Sequence, residues 1–332
     1  MLPPVLGSPI RAWLQRLVPA LVTIAVFAFI LRRIPLDRLA AALRDADHLA
    51  FLAFMIPNTI VYFCWDTLIL AAAMRWFHGP IHLTELLPAR AVSYVVALFN
   101  TNVARGALAG YLARRLQQPV LQLGSTVVFL VLTEYTHLVG WATLGLILAG
   151  PETRRELVWV LPAVAGTWLV FLAYTRFNLR PSDLLSFVRG ADAWSERRGG
   201  MRQWALFRTF RIAPLRRYVQ IVLLRAPMFF VSLCAHYFAA HAFGIHVPFA
   251  QMIAFLPIIF MIAALPITVA HLGTTQAAWI FFFSAYAPPE RLLAFSLAAH
   301  ATFTATRALL GLLFIPKAYT ELVHPGSSRV VA

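Results

Sequence analysis

Gln251 to Pro289 reads QMIAFLPIIFMIAALPITVAHLGTTQAAWIFFFSAYAPP, and the fold turns on this stretch. About 13 apolar residues, Met252 to Ala264, lead into a crease, LPITVAHLG, and a second apolar run follows from about Ala277 to Ala287. A bilayer span needs roughly 20 apolar residues, whereas runs of about 10–14 fit buried or re-entrant segments. Pro266 removes a backbone donor and Gly273 escapes the usual φ limits, so the crease is expected to be non-helical. Such backbone persists at membrane depth only where protein buries it or a wet cavity lies beside it. The stretch therefore reads as a segment that enters the membrane, turns and leaves again. A helix starting after Gly273 aims free N–H groups and partial positive charge into the cavity. Thr274 and Thr275 stand where they can cap it, and Gln276 falls in its first turn.

Composition supplies the setting. Of 332 residues, 61% are hydrophobic and 12% charged, with a mean hydropathy of +0.75. Soluble domains run at roughly 45–50% apolar and about 25% charged. The expected fold class is an all-α polytopic membrane protein, a single integral membrane domain over residues 1–332. The formal net charge is +15, and Lys317 is the sole lysine. In a soluble chain this balance points to nucleic acid. Here cytoplasmic loops obeying the positive-inside rule account for it, and no nucleic-acid partner is expected. Cys64 and Cys234 lie in apolar spans without a paired motif and report neither a redox compartment nor a metal site.

Outward from the crease, the same reasoning gives about six full spans and two re-entrant helical segments. The spans are expected at about Leu17–Leu31, Leu49–Met74, Leu121–Ala149, Glu156–Tyr174, Tyr218–Phe243 and Leu292–Ile315. The basic start resembles a signal peptide, but Leu31-Arg32-Arg33 offers no small-residue cleavage pattern, so the first span is expected to remain. IPLDRLAAALRDADH, residues 34–48, sets Leu36, Leu39 and Leu43 at helical spacing as an amphipathic connector. The other re-entrant segment is LLPARAVSYVVALFNTNVARGALAGYLARR, Leu86 to Arg115, which ends in Asn100, Asn102, Arg105, Gly106 and Gly110. Gly106 and Gly110 have the spacing of close helix packing. Residues 176–217 form a basic loop of ten arginines interleaved with Trp194, Trp204, Phe207 and Phe210. Beside membrane spans that composition reads as a segment lying on anionic lipid.

With this loop in the cytoplasm of a bacterial-type inner membrane, alternation puts both termini inside. Arg32 and Arg33 then fall outside, against the rule. The order span, connector, span, re-entrant segment, span occurs twice, in halves 1–150 and 151–320. That is the pattern of an inverted repeat, in which substrate sites lie where the broken helices meet.

Four stretches carry a family likeness: IPLDRLAAALRDADH, AAAMRWF, ALFNTNVARGALAGYLARR and ALPITVAHLGTTQAAWI. With them the chain resembles the flippase-like family of the lysylphosphatidylglycerol synthase transmembrane region, from about Arg11 to Lys317. The family's second crease typically reads Leu-Pro, a glycine-rich turn and a glutamate. Leu265, Pro266 and Gly273 match, while His271 replaces a glycine and Gln276 stands at the acid's place. The first re-entrant segment has Ala104 and Arg105 where the family has a proline and an acid. The resemblance is thus to a divergent member in which an acid-dependent mechanism lacks its residues. Members with an attached aminoacyl-transferase domain make aminoacylated phospholipid and move it between leaflets. Without that domain, the resemblance implies lipid movement at most.

Ionisable groups within spans usually face the bundle interior with partners. Asp66 and Glu134 stand against Arg225 and Arg307, as structural ion pairs or as substrate contacts. Glu134 and His137 form an E-x-x-H, but a di-metal site needs a second such motif and more carboxylates, so no metal is expected. His300, Thr304 and Arg307 share one helical stripe, fit either to hold phosphate or to bond a neighbouring helix. His236 and His241 read as core or interface residues. No P-loop or catalytic triad is present, so neither ATP-driven pumping nor a cofactor is expected. The leading reading is a flippase-like protein that binds and translocates an anionic or amphiphilic lipid. Arg105, Arg225 and Arg307 would neutralise phosphate; Asn100, Asn102, Thr268, His271 and Gln276 would line the polar path, with Gly273 shaping the crease and Glu134 and His300 beside it. An integral-membrane transferase or accessory subunit of envelope-lipid, including hopanoid, synthesis is the alternative, and a structural scaffold the third. Membrane lipid is the expected partner, with a homo-oligomer or a lipid-synthesis enzyme left open.

Overall fold

The computed structural model describes residues 9–99, 101–150, 207–264 and 272–323, with 162, 164–171 and 173. The regular elements among them are helices: α1 (Pro9–Arg33), α2 (Leu36–Arg44), α3 (His48–Phe77), α4 (Leu83–Phe99), α5 (Thr101–Leu116), α6 (Val120–Ala149), α7 (Arg208–Ile212), α8 (Leu215–His241), α9 (Phe249–Ala263), α10 (Thr274–Phe283) and α11 (Pro289–Val323). Among the described residues α3, α6, α8 and α11 are long and apolar enough to cross a membrane, which makes this an all-α polytopic membrane protein. The expected fourth span, Glu156–Tyr174, falls mostly outside the described residues, as do Trp194 and Trp204 of the basic loop.

Local chemistry sets the helix ends. Pro35, Pro119, Pro214 and Pro248 precede α2, α6, α8 and α9, each with φ between −57° and −66°. Proline enters a helix without an N–H to leave unsatisfied. At α3 the Asp47 carboxylate accepts the Ala50 N–H at 2.9 Å. Both re-entrant segments are helical hairpins. Their arms, α4, α5, α9 and α10, have 17, 16, 15 and 10 residues. At 1.5 Å per residue they reach about 15–25 Å, short of a hydrocarbon core of about 30 Å. The first hairpin starts earlier than its apolar run suggests, because Glu85 in the first turn of α4 is tied to Arg115 near the end of α5 at 2.7 Å. In the second, the chain enters α10 through Gly273 at φ +91°, where an L side chain is strained. Gln276 closes this helix start: its Oε1 accepts the Gly273 N–H at 2.6 Å.

The helices pack in related couples. Exchanging α2–α6 for α7–α11 turns the contact α4–α5 into α9–α10, α5–α6 into α10–α11, and α3–α4 into α8–α9. It likewise turns α3–α11 into α8–α6, α2–α11 into α7–α6, and α6–α9 into α11–α4, while α3–α8 maps onto itself. Of the substantial contacts within these ten helices, only α3–α6 lacks a counterpart of similar extent. Prolines repeat too, at Pro57 and Pro227 in α3 and α8, and at Pro88 and Pro257 in α4 and α9. Two of the cross-half contacts, α6–α9 and α11–α4, are made through glycines. A Cβ on Gly145 of α6 would lie 2.2 Å from the Ala254 backbone nitrogen in α9. One on Gly311 of α11 would lie 2.2 Å from Val95 Cγ2 and 2.8 Å from the Ala91 carbonyl oxygen in α4.

Two apolar clusters hold the bundle, one around Phe51, Met55, Phe243, Phe255 and Phe295, the other around Ile69, Met74, Leu123, Phe129 and Ile221. Within the basic stretch, of which residues 207–217 are described, Phe210 departs from the surface-lying expectation. Phe210 in α7 is fully buried, edge-on to Phe129 at 5.3 Å, because an aromatic ring gains more from a core than from an interface. Beside it a polar chain pins α7 to the end of α3. Gln118 Nε2 donates to the His78 carbonyl, which orients the amide so that its Oε1 accepts from His78 Nδ1 at 2.7 Å. Nε2 of that ring then accepts from Thr126, whose hydroxyl meets Thr209 at 2.9 Å.

Candidate functional site

Between the two apolar clusters lies a chamber of about 370 Å³. Its position follows from the sequence of α3: Phe51 and Met55 serve one cluster, Ile69 to Met74 the other, and Asn58, Tyr62 and Asp66 occupy the turns between. Along α6, Leu130 and Leu138 belong to opposite clusters, with Glu134 between them. Every helix from α3 to α6 and from α8 to α11 contributes to the wall, so both hairpins face the same space. The wall is graded. Met55, Leu138, Phe260 and Trp279 line one part, and Asp66, Arg90, Arg105, Glu134 and Arg307 supply its charge.

Two of the arginines are committed to carboxylates. Arg90 forms a close ion pair with Asp66, whose Oδ2 also accepts the Tyr94 hydroxyl at 3.2 Å. Arg225 is fully buried behind the wall; its Nη1 lies 3.8 Å from Glu134 Oε2, and its Nη2 donates to the Leu130 carbonyl at 3.0 Å. The other carboxylate oxygen of Glu134 accepts the Tyr62 hydroxyl at 3.3 Å. Each of the two acids thus has an arginine partner, in a close pair at Asp66 and at 3.8 Å at Glu134.

Arg307 is held differently. Its Cζ sits 3.7 Å from the Tyr94 ring centroid and 4.9 Å from that of Phe303. Its Nε is buried without a hydrogen-bond partner, and it makes no ion pair among the described residues. Arg105, reaching in from α5, likewise has no ion pair there. The chamber can therefore take up an oxyanion, and the planar fork of a guanidinium suits one with paired oxygens.

The structure brings Arg105, Glu134, His300 and Arg307 into one wall, and the His300–Thr304–Arg307 stripe faces the chamber as a unit. Arg225, Gly273 and Gln276 are not in that wall: Arg225 backs Glu134, and Gln276 is spent on the Gly273 N–H. Asn100, Thr268, His271 and the side chain of Asn102 lie outside the described residues. His236 packs as a core residue, its Nδ1 on the Ser232 carbonyl at 2.7 Å, although one edge reaches the chamber. Sequence reasoning missed Arg90, Tyr94 and Tyr62. Their signal was spacing: Arg90 and Tyr94 are four apart on one arm, as Tyr62 and Asp66 are on α3.

A family model described as the lysylphosphatidylglycerol synthase TM region matches residues 16–311, a range that contains all of the chamber wall. No curated protein matches the chain.

Proposed function

This chain belongs to the lysylphosphatidylglycerol synthase transmembrane-region family, and on that premise we propose that it binds an anionic or amphiphilic lipid by its headgroup in the chamber and moves that headgroup between leaflets. The family ties the protein to membrane lipids, and its long apolar helices make it multi-pass. The membrane is a bacterial-type inner membrane, with both termini in the cytoplasm. Hairpins of two halves facing one polar space are the arrangement that alternating-access transporters use for substrate.

The observation that carries the reading is Arg307, an intramembrane cation set against two rings with no carboxylate partner among the described residues. Such a charge is costly unless something neutralises it, and lipid phosphate is at hand. The test is mass spectrometry of lipid co-purified with the protein, paired with headgroup transfer in vesicles. Arg307→Gln is expected to lower both by about tenfold or more, since a hydrogen bond to a charged group contributes about 1.5–3 kcal/mol. Arg307→Lys is expected to fall between, because an ammonium keeps the charge but not the fork. Wild-type lipid content and transfer in both variants would remove the reading.

A further inference from the structure

We infer that the chamber selects a lipid whose headgroup is a dianionic phosphate, of the monoester or diphosphate class, over a singly charged phosphodiester or a cationic aminoacyl ester. The inference rests on the chamber being a lipid headgroup site and adds the charge class of the headgroup.

The first ground is charge. Asp66 is paired with Arg90, and Glu134 with Arg225 behind the wall, so with Arg225 counted Arg105 and Arg307 are two cations in excess among the described residues around the chamber. They come from different halves of the fold, one on α5 and one on α11. A phosphodiester supplies a single negative charge, whereas a phosphomonoester carries about −1.5 to −2 near neutral pH. Only the latter matches the excess. An aminoacyl ester would add an ammonium to a space already positive, and like charges in a low-dielectric site repel strongly.

The second ground is orientation. Tyr94 is fixed by its hydroxyl on Asp66, and its ring supports Arg307 at 3.7 Å and Arg90 at 5.0 Å. With its Cζ over that ring and 4.9 Å from the Phe303 centroid, the Arg307 guanidinium is held in place and keeps a buried Nε without a partner. A guanidinium so held is suited to a two-point grip on phosphate oxygens. Size is the third ground. At about 370 Å³ the chamber stands near the lower end of the roughly 300–1,000 Å³ of small-molecule sites. A headgroup and the first carbons of its chain fit, the carbons against Met55, Phe260 and Trp279, while the acyl chains stay in lipid.

The test measures binding of four probes to the full chain in neutral detergent: phosphatidic acid, phosphatidylglycerol, lysyl-phosphatidylglycerol and inorganic phosphate. Phosphatidic acid is expected to bind about tenfold or more tightly than phosphatidylglycerol, about the effect of one added charge-assisted bond. The lysyl lipid is expected to bind weakest of the three lipids. Arg105→Gln and Arg307→Gln should each bring the monoester-to-diester ratio towards one. Arg105→Lys and Arg307→Lys should keep the ratio above one at lower affinity, which separates loss of charge from loss of fold. Equal or tighter binding of phosphatidylglycerol by the wild type, with loss in Arg307→Gln, would overturn the dianion class and leave the chamber as a lipid site. Binding of none of the three lipids would overturn both. Inorganic phosphate binding as tightly as phosphatidic acid would overturn a lipid as the source of the phosphate.

Discussion

Arg90 and Arg307 touch the same tyrosine ring, yet among the described residues only Arg90 of the two is paired with a carboxylate. Asp66→Asn is therefore expected to destabilise the protein by about 1–3 kcal/mol, the usual cost of leaving the partner of a partly buried pair unsatisfied. Asp66→Asn with Arg90→Gln should recover much of that loss, and Arg307→Gln should cost little; thermal unfolding in detergent reads all three. At the end of α3 a different residue sets a pH limit. Burial holds the His78 ring below its usual pKa, with Arg208 adding to the shift against the opposing Gln118 bond. The folded state thus binds its proton less readily than the unfolded chain does. Stability from this group is complete above about pH 6.5, the unfolded value, and declines as the pH falls towards the folded value. A melting-temperature series from about pH 7.5 to 5.5 should fall more steeply for the wild type than for His78→Asn. The two acids, Arg225 and the His300–Thr304–Arg307 stripe were legible in the sequence because ionisable groups are conspicuous in apolar runs. Who pairs with whom was not, since Arg90 sits in a different segment from Asp66 and only packing joins them.

The hairpins were legible as elements because their apolar runs are too short to span and their creases contain Pro or Asn with Gly. The crossings were not, because a glycine in an apolar helix looks the same whether it meets lipid or a neighbouring backbone. Gly145 and Gly311 meet protein, and their obstacles differ in kind. A methyl on Gly145 strikes backbone at 2.2 Å, which moves only if α9 moves, whereas at Gly311 the nearest atom is a side-chain methyl of Val95. Both alanine variants are expected to lose stability by about 1–3 kcal/mol, as overpacked contacts do, with Gly145→Ala the worse. Val95→Ala should return part of the loss in Gly311→Ala and none in Gly145→Ala. Equal losses and no recovery would mean that α11 crosses α4 on some other contact. The burial of Phe210 was hidden for a related reason: within a basic stretch one ring gives no sign of which way it faces.

For the whole molecule, the order of elements has the pattern of an inverted pair, and the helix contacts fall into related couples. What order alone did not reveal is that each half's last long helix lies on the other half's first hairpin arm, α6 on α9 and α11 on α4. This has a consequence for how the protein is made. When the ribosome has finished α6, the partner of Gly145 is still on the order of 100 residues from being synthesised, roughly 5–20 s at usual elongation rates. Through that interval the first half sits in the membrane with its crossing faces open to lipid or to any passing helix. Expressed alone, fragments ending or beginning near residue 190 should be degraded; produced together, they should assemble into a complex that purifies as one and carries the same lipid as the intact chain. Independent accumulation of either fragment, measured by pulse labelling, would show that a half can close its own crossing face. Otherwise the exposed interval is a built-in window of vulnerability, and slowing translation between α6 and α9 should lower the yield of protein more than the same delay placed after α11.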